Sequence, residues 1–393
     1  MSGCQFGKDE MALSTTQTNN KLVKYTQEIN REYVRENMFS PYMGEAVNSI
    51  IRLKMDLKNG GEQMNIPIVG RLTAAAVGSG TLVGNEEKID QYGMRVWLDW
   101  ARNAVATNKA ERQKDSADIF GQVKPLLSDW GKELQRDEII SALMALPSES
   151  APSALGSDAG QRVNGILYDA ATAAQRNTWN ADNSDRVLYG NATSNYNATH
   201  ATALANLDTT NDILNAGNLS LLKRIAKNAI PKIRPFKTRD GYEYFVAFCG
   251  TNPFRDLKAD LKVVNYSARA REGNGMDKNP LFQDGDQLYD GIIVREVPEI
   301  SQFVSNVWTT LKTAGSGGTT RVEPVFLCGQ QAAAMAWGQM ARPTFRKEDD
   351  YGFITGSGIE MAYGVSKIFT KPTGSTKLIQ RGMATGFFAS AAD

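Results

Sequence analysis

Histidine is almost missing from this chain, and that scarcity excludes more chemistry than any residue present. A single His, His200, and three scattered cysteines, Cys4, Cys249 and Cys328, occur in 393 residues. Zinc sites draw on three or four Cys, His or carboxylate ligands at characteristic spacings, and neither a CxxC pair nor a second His is available to build one. The unpaired cysteines supply no disulfide framework, so a reducing compartment is expected. A Ser-His-Asp or Cys-His site would have to be built on His200, which sits in the polar stretch NYNATHATA, far from any G-x-S-x-G motif. It reads as an exposed loop histidine.

Net charge is nearly absent too. The 44 Lys and Arg against 43 Asp and Glu leave +1, too little for a protein whose main task is gripping phosphates, with room only for a local basic patch. No window approaches the roughly 18 consecutive apolar residues of a spanning helix, and the start MSGCQFGKDEM lacks the apolar centre of a secretory signal. A soluble, intracellular protein without membrane contact is expected. No G-x-x-x-x-G-K-[ST] loop occurs. The glycines of AVGSGTLVG, Gly78, Gly80 and Gly84, open a G-x-G-x-x-x-G pattern, but the following TLVGNEEKIDQYG lacks the apolar stripe of the helix that a dinucleotide fingerprint requires. Carboxylates cluster at Glu86-Glu87, Asp284-Gly285-Asp286 and Asp349-Asp350 without the spacing of a calcium loop, and read as solvated turns. Arg31, Arg35, Arg342 and Arg346 each lie near acids and read as ion-paired or solvated. The chain thus implies no catalytic residue, cofactor site or metal site, and is not expected to be an enzyme.

What is present is a globular composition, 41% hydrophobic and 22% charged, with a mixed pattern of elements. Residues 14–37 are polar, too poor in apolar groups to order themselves, and end in the aromatic anchor MFSPYMG, which includes Phe39 and Tyr42. Alternation at Ile51, Leu53, Met55 and Leu57 predicts a strand, Gly60-Gly61 a turn, and residues 66–72 a second strand. Residues 56–96 read as a long glycine-punctuated hairpin, which in isolation would be marginal and needs a surface to lie on, expected to be another subunit. Apolar residues recur at helical spacing over 116–146, including Trp130, predicting an amphipathic helix about 45 Å long with Pro125 at a kink or in its first turn. Residues 147–218 are rich in Ala, Asn, Ser, Thr and Asp and predict a loop-rich insertion at the surface. Strands are predicted at 242–249, 291–297 and 321–328, then a helix over GQQAAAMAWGQM, and short strands in MAYGVSKIF and KLIQRGMATGFFA separated by the turn KPTG. There is no regular βαβ alternation, so the class is α+β.

The ordered set GNEEKIDQY, VWLDWARNAV, RVLYGN, IPKIRPF, FCGTNPFRDLK, NPLFQDGDQLYDGIIVREV, FLCGQQAAAMAWG and RKEDDYGFITGSGIEMAYGVSKIF resembles the major capsid proteins of tailed phages with the Hong Kong 97 (HK97) fold, in the branch typified by the enquatrovirus coat protein. The resemblance covers most of the chain from about residue 40 onward. It implies an N-terminal arm at 1–44, an extended loop at 56–96, and a peripheral domain at 97–241 with its spine helix at 116–146. An axial domain at 242–325 and a C-terminal part at 326–393 returning to the peripheral domain complete the fold. The implied role is a coat protein forming pentamers and hexamers of a closed icosahedral shell around double-stranded DNA. Implied partners are scaffolding and portal proteins, a decoration protein, and packaged DNA touched non-specifically at the inner face. Assembly would occur in the host bacterial cytoplasm, first as a procapsid. The arm and loop would reach neighbouring subunits through Arg31, Arg35, Phe39, Tyr42, Gly78, Gly80, Gly84, Glu86, Glu87 and Lys88, with Trp130 on the receiving spine. Some members of this fold crosslink an extended-loop lysine, for which Lys88 is the candidate; no catalytic glutamate can be assigned, so non-covalent contacts or a cement protein are expected. The alternatives are an encapsulin-like cellular compartment and a nucleotide-binding oxidoreductase.

Overall fold

The computed structural model describes residues 34–55, 61–114, 119–237, 241–260, 286–346 and 350–391. In chain order, β1 (Met43–Gly44) and β2 (Ile51–Lys54) precede a hairpin of β3 (Gln63–Val69) and β4 (Gln91–Trp97), after which β5 (Asp99–Asn108) leads into α1 (Lys109–Lys114). The long helix α2 (Val123–Met144) is followed by α3 (Ala173–Asp182), β6 (Val187–Tyr189), α4 (His200–Ala205) and α5 (Ala216–Asn228). Next come β7 (Phe236–Lys237), β8 (Glu243–Cys249), α6 (Thr251–Ala259), β9 (Gln287–Tyr289), β10 (Ile292–Glu296) and α7 (Pro298–Asn306). The chain closes with β11 (Val322–Cys328), β12 (Ala333–Phe345), β13 (Ile354–Lys367), β14 (Phe369–Thr370), β15 (Ile379–Gln380) and β16 (Met383–Ala389).

Two sheets organise these elements. The first has five strands in the order β1-β2-β12-β13-β5. Its spine is the antiparallel pair β12 and β13, with β5 along β13 from Ile354↔Asn108 to Tyr363↔Asp99, and β2 parallel to β12. The second runs β6-β16-β11-β8-β10-β9, with β7 added on β8. β11 and β16 are buried at every position, which explains their continuous apolar runs VEPVFLC and MATGFFA. One face lies against Leu219, Leu222 and Phe254 of α5 and α6, and the other belongs to the main core with Ile300 and Val304 of α7. Strands covered on both faces need no polar alternation. Pro324 is tolerated inside β11 because β8 pairs only with Phe326 to Cys328, so the proline sits where that side of the strand is unpaired.

Helix α2 lies across the first sheet. Its 22 residues span about 33 Å rather than the longer helix expected, because the preceding turn Ile119–Gln122 is a 3-10 helix. Pro125 is in the first α-helical turn, where its missing N–H has no acceptor to lose. The two halves differ: only Leu127 and Gly131 are buried in the first, whereas Ile139, Ile140, Ala142, Leu143 and Met144 all are in the second.

Several expectations from the sequence are corrected. GQQAAAMAWGQM supplies β12, not a helix. Ala333, Met335 and Trp337 point into the main core, while Ala334 and Ala336 point to the opposite face, beneath the β3–β4 hairpin. The alanines are small because something packs directly on them, and that packing overrides their helix propensity. Residues 147–218 are loop-rich as expected but are not a surface insertion: between their loops they carry α3, α4, the start of α5 and β6, and β6 pairs in parallel with β16 inside the second sheet. The large apolar residues Trp179, Leu188, Tyr189 and Leu214 among them are buried. Their polar residues close the ends of elements, as in the Thr172–Gln175 capping box of α3. The C-terminal strand β16 also joins the second sheet, between β6 and β11, so that sheet draws on chain well outside 242–325. The strands flanking Gly60-Gly61 do not pair with each other: β2 joins the first sheet and β3 the hairpin.

His200 is the clearest correction. It is 2% exposed, with Nε2 3.0 Å from the Tyr168 hydroxyl and Nδ1 2.7 Å from the Tyr189 hydroxyl. Tyr189 donates its own proton to Asn180 Oδ1 at 2.9 Å, so Nδ1 of His200 carries the hydrogen and Nε2 accepts from Tyr168. Burial, with a smaller contribution from Arg176, lowers its pKa to about 3, leaving the ring neutral. Both nitrogens are spent on phenols, so the residue is a core hydrogen-bonding hub.

Candidate functional site

The β3–β4 hairpin leaves the body at Trp97, where β4 gives way to β5. Asn164 holds that corner, accepting from Trp97 N at 2.9 Å and donating to Trp97 O at 3.0 Å. Gly364 of β13 faces the same carbonyl, which a Cβ there would strike. The hairpin pairs from Gln63↔Trp97 to Val69↔Gln91. One face is apolar by strict alternation, with Met64, Ile66 and Ile68 buried and Gln63, Asn65 and Pro67 exposed. That face rests on Ala334, Ala336, Ile368 and Phe369 of the same chain. The surface expected from another subunit is therefore supplied, for the base of the hairpin, by the chain's own first sheet. Polar contacts add to it: Thr373 N donates to Asp90 at 3.1 Å, and Glu149 accepts from Tyr92 at 3.3 Å and Lys371 at 2.7 Å.

Beyond Val69 the hairpin runs on as an irregular tip, residues 70–90, with no strand ladder. Glu87 holds its two limbs together, accepting from Thr73 N at 2.6 Å and Ala74 N at 2.8 Å. These backbone donors hold the Glu87 carboxyl below its ordinary pKa. Glu86 accepts from Gly84 N at 2.7 Å, and Gly84 itself has φ +86, a left-handed conformation suited to glycine. Gly78 and Gly80 differ from it: a Cβ on Gly78 would meet nothing within 4 Å, and one on Gly80 only a Val77 methyl at 3.7 Å. Among the described residues nothing requires these two to be glycine. No helix follows AVGSGTLVG, so its glycines form no phosphate cradle with a helix N-terminus. Lys88 is exposed on the same tip.

The tip carries an unusual load of apolar surface. Leu72, Leu82, Val83 and Ile89 are 65–80% exposed. Sequence reading passed over these residues because they follow no period; their only signal is large aliphatic side chains in a loop otherwise built of small ones. On the body, β5 and α2 flank a cleft of about 630 Å³ lined by Trp100, Trp130, Leu134, Arg102 and Glu360 among others. Trp130 is half-buried there, against the main core, and Trp100 is half-exposed. Alternation along β5 could have flagged Trp100, since Asp99 and Ala101 on either side are buried.

The anchor MFSPYMG is corrected. Phe39 and Tyr42, expected at contacts with a neighbour, are buried in the chain's own core, their rings 4.9 and 5.5 Å from that of Phe248. They have no surface left to offer another subunit. Arg35 lies just before them, its carbonyl 3.5 Å from Arg136 Nη1. Arg31, Asp284, Gly285 and Asp349 lie outside the described residues. Arg342 pairs with Glu360 across β12 and β13 at 2.5 Å. Among the described residues no group of three or more His, Cys, Asp or Glu side chains is placed to hold a metal ion, and no helix is long and apolar enough to cross a membrane. The two described cysteines, Cys249 and Cys328, are buried thiols whose pKa burial raises.

Residues 14–385 match the family model described as phage capsid protein. Among solved structures, the chain is similar to the capsid asymmetric unit of cyanophage Pam1, at 34% identity and TM-score 0.82 over 98% of this chain and 100% of that one. It is also similar to the capsid of Ralstonia phage GP4, at 17% identity and TM-score 0.68 over 96% and 99% of the two chains. The head structure of Helicobacter pylori bacteriophage KHP40 follows at 14% identity and TM-score 0.62 over 95% and 96%. No curated protein sequence matches the chain.

Proposed function

The chain belongs to the phage capsid protein family, and on that premise we propose how its copies join. It is a structural protein, a tailed-phage major capsid protein with an HK97-like α+β fold that forms the shell of the virion. In our reading, subunits gather as pentamers and hexamers, and the irregular hairpin tip is the element each subunit lends to a neighbour. The carrying observation is the tip itself: Leu72, Leu82, Val83 and Ile89 expose large aliphatic surface that a free chain gains nothing by displaying. A complementary recipient is the cleft beside α2, where Trp100, Trp130 and Leu134 offer apolar walls. Gly78 and Gly80, whose place no described residue crowds, would there allow close approach of backbones. Glu86, Glu87, Gly84 and Lys88 shape and flank the same tip, and in this reading Arg31 and Arg35 of the N-terminal arm would be contacts to a second neighbour.

The sheet of β8, β10, β11 and β16 would serve as the axial domain, and the sheet under α2 as the peripheral domain with its spine. Scaffolding, portal and decoration proteins are the partners this reading implies, with a procapsid assembling in the host bacterial cytoplasm before the double-stranded DNA genome is packaged into it. Electron microscopy of the expressed protein, alone and with scaffold, tests it. Closed shells or capsomers are expected from the native chain, and loss of them from Leu82→Ser/Val83→Ser with the subunit still folded. A double variant that assembles as well as the native chain would remove the tip from the interface.

A further inference from the structure

The near-zero net charge of the chain hides one strongly asymmetric stretch. Between Asp212 and Asp240 there is no Asp or Glu, against seven Lys and Arg. Two of these are neutralised by neighbours in the fold: Lys223 pairs with Asp290 at 2.9 Å and Lys237 with Glu243 at 3.0 Å. Arg224, Lys227, Lys232 and Arg234 are exposed and form no ion pair among the described residues. Arg224 and Lys227 share the outer face of α5, opposite the buried Leu219, Leu222 and Ala226. Lys232 and Arg234 follow on the segment leading to β7, which stays beside α5 where Ile233 N donates to Ala226 O at 3.3 Å.

This ridge is held firmly. Ile230 N donates to Asp185 at 2.8 Å, and Ile230 O accepts from Arg186 at 2.7 Å. Ile233 is buried, and Arg234 O accepts from Gln330 N at 2.8 Å, where β11 turns into β12. Arg234 also faces Arg381, a half-buried guanidinium whose pKa is lowered first by burial and then by Arg234. A fixed row of uncompensated cations with like charges crowded beside it costs the isolated chain stability and returns nothing to it.

We propose that this ridge, Arg224, Lys227, Lys232 and Arg234, is a binding surface for the phosphate backbone of duplex DNA. A protein partner would need apolar or aromatic anchors, and the ridge exposes one large apolar side chain, Ile230. A partner recognised by charge alone, at regular spacing and without sequence, fits it better. The proposal rests on the reading that the shell encloses duplex DNA, and places contact with it on one face of the subunit.

The test uses purified full-length subunits and a fluorescent 20-base-pair duplex, with anisotropy followed from 50 to 200 mM salt as a titration. If all four cations meet phosphates, log K falls against log salt with a slope of about −3.6, roughly 0.9 per phosphate. The variant R224Q/K227Q/K232Q/R234Q is expected to lose most of that slope and to bind at least tenfold more weakly. Lys232→Gln and Arg234→Gln alone should each reduce the slope by about 1. Unchanged affinity and slope in these variants would overturn the proposal, as would poly-glutamate displacing the duplex at equal charge concentration, the sign of an acidic protein as the true partner. Microscopy of the same variants separates this outcome from the assembly reading: shells that form normally while DNA binding is lost support the ridge as a nucleic-acid surface and leave assembly untouched.

Discussion

Arg136 in the middle of α2 and Glu299 in the first turn of α7 lie 3.3 Å apart, both nearly buried. The pair ties the helix covering the first sheet to the helix covering the second, and Arg136 also reaches the carbonyl of Arg35. Removing one partner of a buried pair strands the other charge. Arg136→Met is expected to destabilise the subunit by about 3–5 kcal/mol in chemical denaturation. The double variant R136M/E299M should recover much of that loss.

Lys367 offers a test of the opposite sign. Its side chain is buried, with Nζ 3.2 Å from Gln380 Oε1, and burial lowers its pKa to about 7. Between about pH 7 and the ordinary lysine value near 10.4 the unfolded chain holds a proton that the folded chain does not, so stability rises with pH across that window. The slope is at most about 1.4 kcal/mol per pH unit, and below pH 7 the penalty is fully present. Lys367→Met should be more stable than the native chain at pH 7, with the difference shrinking toward pH 10 in parallel urea titrations.

His200 governs the acid side. With its folded pKa near 3 and the unfolded value near 6.5, the unfolded state gains a proton as pH falls through 6.5, and stability drains away down to about pH 3. Replacing it with Gln, which can still meet both tyrosine hydroxyls, should flatten the pH dependence between 6 and 4 by up to about 1.4 kcal/mol per unit. Denaturation midpoints of the two proteins across that range provide the comparison.

The tip glycines separate folding from assembly. Gly78→Val and Gly80→Val should leave the denaturation midpoint of the subunit within about 0.5 kcal/mol of native, since the added atoms meet open space or a single methyl. Both should nonetheless reduce shell yield in microscopy. Gly84→Val acts differently: it forces a β-branched residue to φ +86 and should disturb the tip locally at a cost of about 1–2 kcal/mol. Normal shell yield from all three variants would show that the tip makes no close contact.

Much of the architecture was legible from the residues. Apolar runs marked β8, β10 and β11, helical spacing marked α2, and glycine punctuation marked the hairpin tip. The errors share one cause. Ala334 and Ala336 look helical because alanine favours helices, yet a hairpin distant in sequence presses on them and selects a strand. Residues 147–218 look like surface because polar residues dominate, yet a few apolar side chains and well-placed hydrogen bonds carry the segment into the second sheet.

By itself, then, the sequence determined composition, charge, the shortage of catalytic groups and the local periods of its main strands and helices, because those depend on side-chain chemistry and on neighbours along the chain. Only the tertiary structure decided that Phe39, Tyr42 and His200 are interior, that the hairpin base rests on its own sheet, and that Arg224, Lys227, Lys232 and Arg234 find no ion-pair partner among the described residues. Burial and pairing are set largely by residues distant in sequence, as when Phe39 meets Phe248 or Arg136 meets Glu299, and no local pattern encodes such a meeting.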